Sequence, residues 1–136
     1  MTRRTWIPTA LTFTLALALA AAAAAQDEGI TITEVQAGTA VTGGTIASPT
    51  TTIARDAGRI FAVIRLNNPS REAGELNVTL ESAEGRRRGG LDLSIPAQPR
   101  YRTVARFGSN HPPGEYRIVI RHGERVLETV TITITG

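Results

Sequence analysis

After residue 26 the apolar residues of this chain recur at every second position, in short runs, and nowhere at helical spacing. A period of two puts alternate side chains on opposite faces of an extended strand, so the chain can bury one face of a sheet but not one face of a helix. Seven runs carry the pattern: ITITEVQ (30–36), RIFAVIRL (59–66), ELNVTLE (75–81), LDLSI (91–95), YRTVARF (101–107), EYRIVIRH (115–122) and RVLETVTITIT (125–135). Gly, Pro and Asn clusters separate them, while Ile, Val and Thr, which suit a pleated and half-buried surface, dominate within them. Leu76, Val78 and Leu80 alternate with Glu75, Asn77, Thr79 and Glu81, and Tyr116, Ile118 and Ile120 alternate with Arg117, Val119 and Arg121. Leu91, Leu93 and Ile95 form a third such set against Asp92 and Ser94. Seven strands of this kind predict an all-β, two-layer sandwich with the apolar sets facing one another.

The first 25 residues follow a different rule. Met1-Thr2-Arg3-Arg4 is basic, Leu11 to Ala25 is almost wholly apolar, and Ala23-Ala24-Ala25 offers small residues before Gln26. That pattern predicts an export signal over 1–25, removed to leave one domain over 26–136. An uncleaved anchor is the competing reading, since Ile7 to Ala25 is long enough to span a bilayer. Thr2 to Ile7 also resembles the twin-arginine export motif, with Trp6 where Phe is usual. The chain has no cysteine, which excludes disulfides, thiol catalysis and a lipid-anchoring cysteine. Its 15 basic residues are all arginine, thirteen of them after the signal, against 12 acidic residues. So balanced a charge argues against nucleic acid as a partner.

The stretch PGEYRIVI, His122-Gly123, ERVLETVTITI resembles the last two strands of bacterial immunoglobulin-like or fibronectin III-like domains, and RDAGRIFAVIRLNNP (55–69) resembles their second strand. The resemblance covers the whole chain after the signal and implies a single immunoglobulin-like β-sandwich. The Cys and Trp of antibody cores are missing from it, so what it implies is a fold and not an activity.

A two-residue turn at His122-Gly123 would pair residues whose numbers sum to 245, facing Arg121 with Glu124, Arg117 with Glu128, Val119 with Val126 and Ile118 with Leu127. That register points Val130, Ile132 and Ile134 outward, so a β-bulge is expected between Glu128 and Val130 to turn them in and leave Thr131, Thr133 and Thr135 in solvent.

Candidate sites are few. Arg86, Arg87 and Arg88 in the GRRRGG loop (85–90) are a candidate anion or partner contact, such as phosphate groups or an acidic polysaccharide, although a run of like charge also describes a solvated hairpin tip. His111 and His122 flank one strand and fall at its opposite ends, too far apart to share a metal. Glu72 with Glu75, or Glu81 with Glu84, could supply paired carboxylates, yet no Gly-x-Ser-x-Gly elbow or triad spacing accompanies them. Asn77-Val78-Thr79 forms a sequon that a bacterial chain would not use. RIFAVIRL is apolar on both faces, so Phe61 and Val63 need a cover: the segment 37–58, through Val41, Ile46 and Ile53, or a partner across an apolar interface. The expectation is an exported, non-catalytic module that binds or scaffolds in the cell envelope. It needs no catalytic residue, metal or cofactor, and its partner would be an envelope protein or polysaccharide, with no membrane contact once the signal is removed. The alternative is a periplasmic assembly or folding factor that pairs client strands on a sheet edge.

Overall fold

The computed structural model describes residues 29–136; the expected export signal lies outside them. The strands are β1 (Thr31–Gly38), β2 (Val41–Thr42), β3 (Thr45–Ile46), β4 (Thr52–Ala54), β5 (Arg59–Asn67), β6 (Gly74–Ser82), β7 (Arg87–Ile95), β8 (Arg100–Gly108), β9 (Gly114–His122) and β10 (Arg125–Thr135), with one 3-10 turn at Arg55–Ala57. All seven expected runs are strands. One layer is a three-stranded sheet in the order β1-β5-β8, and the other a five-stranded sheet in the order β4-β10-β9-β6-β7. Within each layer the long strands pair antiparallel, while β4 joins β10 in parallel, Thr52 to Ala54 against Thr133 to Thr135. This is an immunoglobulin-like β-sandwich.

Its core is aliphatic, as the alternation required. Ile60, Ala62, Ile64 and Leu66 of β5 meet Leu76, Val78 and Leu80 of β6, Ile118 and Ile120 of β9, and Ile132 and Ile134 of β10. Tyr116 opens β9 with its ring buried and its hydroxyl donating to the Pro112 carbonyl at 2.6 Å. That bond turns the chain from the β8–β9 connection into the sheet, the tyrosine corner of this fold. Two buried polar residues tie the remaining loops. The Ser109 hydroxyl accepts from the Gly58 amide at 2.8 Å and donates to the Arg55 carbonyl at 2.9 Å. Asn68 donates to the Glu72 carbonyl at 2.8 Å, while its own amide reaches the Pro99 carbonyl at 2.7 Å.

The terminal hairpin departs from expectation. Its two-residue turn is Gly123-Glu124, so His122 faces Arg125 and Arg121 faces Val126. Gly123 has φ +64° and Glu124 is not left-handed, the pattern of a type II′ turn with glycine first. A turn centred on His122 would have forced a side chain into the left-handed region that glycine enters freely. The bulge also moves, to between Val126 and Glu128. The face swap it produces is the expected one: Ile132 and Ile134 are buried and Thr131, Thr133 and Thr135 exposed. Arg117 and Arg121 therefore lack the glutamates proposed for them. Arg121 pairs with Glu81 at 3.1 Å, and Arg117 with Glu115 at 3.7 Å along its own strand.

The segment 37–58 divides its work. Gly43 (φ +60°) and Gly44 (φ +78°) make the tip of a β2–β3 hairpin whose twist requires positive φ at both positions. Ile46 is buried against Gly38, which faces Phe61 across the β1–β5 pair, while the hairpin tip rests on the Arg102 guanidinium from β8. The hairpin thus lies over the outer face of the three-stranded sheet. Ile53 does not join it: on β4 it is fully buried in the main core.

Candidate functional site

The register of β5 on its neighbours decides what its outer face displays. Pairing β5 with β8 sets Phe61 beside Arg106, Val63 beside Val104, Arg65 beside Arg102 and Asn67 beside Arg100. Pairing β5 with β1 adds Gly38, Gln36, Glu34 and Thr31 to the same rows. Directly opposed residues share a face, so this outer surface has an apolar middle, Phe61, Val63 and Val104, and arginines at both ends. Arg65, Arg100 and Arg102 occupy one end, and Arg59 and Arg106 the other.

These arginines are exposed. Glu34 contacts Arg65 at 3.4 Å, with both side chains nearly half exposed, so the pair is solvent-screened and weak. Among the described residues, Arg59, Arg100, Arg102 and Arg106 have no carboxylate within ion-pair reach. The Arg65 end opens into a cleft of about 420 Å³ lined by Thr33, Arg65, Asn67, Arg100, Tyr101 and Arg102. A smaller one of about 310 Å³ lies at the Arg59 and Arg106 end. Guanidinium forks match carboxylate and phosphate oxygens in two-point bonds, so a cleft lined by three of them has the chemistry to receive an anion.

The residues singled out from sequence are placed as follows. Arg86 closes the β6–β7 turn, its amide accepted by the Ser82 hydroxyl at 3.1 Å, while Arg87 and Arg88 belong to β7 rather than to a loop. Arg87 faces Glu81 and folds its guanidinium over Gly90. One glycine of that stretch serves packing: Gly89 turns inward, where a Cβ would lie 3.4 Å from the Phe107 ring. That contact brings the arginine trio to the same end of the sandwich as Arg106. Val63 is buried at 2% exposure and Phe61 half-buried, with the β2–β3 hairpin over them. His111 packs on Tyr116 with ring centroids 5.8 Å apart, and His122 approaches Gly74 at the opposite end. Glu72, Glu75 and Glu84 are exposed, and Glu81 is engaged by Thr79 and Arg121.

The arginine face itself went unread in the sequence. Its signal was present: in YRTVARF, Arg102 and Arg106 share the parity of Val104, opposite that of Tyr101, Ala105 and Phe107. Only the β5–β8 register shows that Arg65 joins them.

No protein-family model and no curated protein matches the chain. Solved structures do. An immunoglobulin-like protein from Pseudomonas aeruginosa aligns over 78% of this chain and 96% of its own, with a TM-score of 0.55 and 16% identity. The C-terminal domain of Wzt aligns over 79% of this chain and 74% of its own, at 0.53 and 11%. A β-glucosidase from Erythrobacter marinus aligns over 79% of this chain but 15% of its own, at 0.54 and 12%. The same sandwich is nearly the whole of one neighbour and a small part of another, and at such identities what this chain shares with them is the immunoglobulin-like fold.

Proposed function

We propose that the protein is an exported, non-catalytic binding module of the bacterial cell envelope, and that the outer face of the β1-β5-β8 sheet is its contact surface. The observation that carries this reading is the concentration of five arginines on that face with Glu34 the one acidic residue among its described positions. Burying or exposing guanidinium groups there does nothing for the core, which lies on the other side of the sheet. A surface of one sign attracts partners of the other and orients them on approach. The basic, apolar and small-residue pattern of residues 1–25 supports export. Strand pairing with client chains gains less support at two of the four edges of these sheets, because β8 carries Arg100, Arg102 and Arg106 and β7 carries Arg87, Arg88 and Asp92. Charged side chains on an edge oppose further pairing.

The test is co-sedimentation of the purified protein with washed envelope fragments at low and physiological salt. Retention that is lost in an Arg65→Gln, Arg102→Gln, Arg106→Gln variant is the expected result. Equal retention of that variant would remove the face from the account.

A further inference from the structure

We infer that the cleft between the ends of β5 and β8 receives an acidic sugar of a linear polyuronate, and that a second acidic group of the same polymer reaches Arg106 and Arg59. This rests on the reading of the arginine face as the contact surface and names its ligand. The cleft lining combines three kinds of group. Arg65, Arg100 and Arg102 suit a carboxylate, and the Asn67 amide and Thr33 hydroxyl suit sugar hydroxyls. A volume of about 420 Å³ matches the small end of ligand pockets and suits one sugar ring rather than a bulky group.

The second arginine group makes the ligand a polymer. Arg102 and Arg106 lie four residues apart on one strand, so their Cα atoms are separated by roughly 13 Å at the usual strand rise. One small anion cannot touch both, whereas a chain with an acid on each unit can. Single-stranded nucleic acid is the less suitable polyanion, because it is held largely by stacking bases on exposed aromatic rings. On this face Phe61 is half-buried beside the hairpin, and Tyr101 lies on the inward-facing side of β8, packed against the core.

Titration calorimetry with alginate oligomers as the polyuronate tests this, with neutral dextran, polyphosphate and oligothymidylate as comparison ligands. Alginate should bind and dextran should not. Arg100→Gln with Arg102→Gln should weaken alginate binding at least ~10-fold, as expected when charged hydrogen bonds are lost, while Arg86→Gln should change it little. Arg106→Gln should weaken a long oligomer and leave a disaccharide unaffected, which a merely structural role would not produce. All four positions are exposed, so unchanged melting curves will show the variants folded. Polyphosphate or oligothymidylate binding as tightly as alginate would overturn the assignment to sugar acids, as would an unaffected double variant. Envelope retention that depends on the face, together with no alginate binding, would overturn this inference alone. Retention independent of the face would overturn the reading beneath it as well.

Discussion

Glu81 shows how a single side chain here answers to its neighbours rather than to its place in the sequence. The Thr79 hydroxyl donates to its carboxylate at 2.8 Å and Arg121 donates to the same oxygen at 3.1 Å. Those bonds, the Thr79 one foremost, hold the carboxyl below its usual range, against partial burial that pushes it the other way. With the folded value depressed, the unfolded chain takes up the proton more readily. The stability that Glu81 contributes is therefore complete above the ordinary carboxylate value and is lost as pH falls through the lower folded one. Glu81→Gln should cost about 1 kcal/mol at neutral pH and flatten the decline of stability on acidification. Thermal melts at pH 7 and pH 3 measure both, and an equal loss at the two pH values would contradict the assignment. Tyr116→Phe removes the bond to the Pro112 carbonyl and should cost about 1 kcal/mol, a drop of a few degrees in Tm; an unchanged Tm would mean that water replaces the hydroxyl without loss. Neither partnership was legible in the sequence. Arg121 pairs across β6 and β9, a contact 40 residues distant that no local pattern encodes.

At the scale of elements, strand existence was legible and strand register was not. Every long strand announces itself through alternation, because burying one face of a sheet demands it. Strands β2, β3 and β4 do not, being two or three residues long and held by what they pack on. The terminal hairpin shows the same limit: shifting the turn to Gly123-Glu124 exchanged every proposed cross-strand partner, as period-two pairing must. The β2–β3 hairpin gives the sharpest test of an element's role. A Cβ at Gly38 would collide with the Ile46 Cγ2, and a β-branched side chain has little freedom to turn away. Gly38→Ala should thus lift the hairpin from Phe61 and Val63, at a cost of about 1–3 kcal/mol, with apolar surface exposed to a dye such as ANS. In an Ile46→Ala background the same change should be nearly neutral, since the colliding group is gone. Additive losses in the double variant would show that Gly38 is needed for another reason.

For the molecule as a whole, a formal net charge of +3 conceals a strongly uneven surface. Arginines collect on the outer face of the three-stranded sheet, while Glu75, Glu81, Asp92 and Glu115 share the outer face of the five-stranded sheet with Arg117 and Arg121. Composition could not reveal this, because a sum is blind to sides; parity along β8 gave half of it and the β5–β8 register the rest. The same arginines bear on solubility. Strand β8 has a free edge, and Val104 sits on it between Arg102 and Arg106, next to Val63 and Phe61. Replacing both arginines by valine would leave an unbroken apolar row along an unpaired edge, the arrangement that recruits a second strand from another molecule. Arg102→Val with Arg106→Val should therefore raise the apparent mass by light scattering at micromolar concentration, while the melting temperature of the fold changes little. Arg117→Val on β9, an interior strand hydrogen-bonded on both sides, should leave the mass unchanged, since no backbone is free there to pair. If the double variant scatters like the parent protein, the arginines of β8 are not guarding its edge, and their concentration on this face is left with ligand binding as its physical reason.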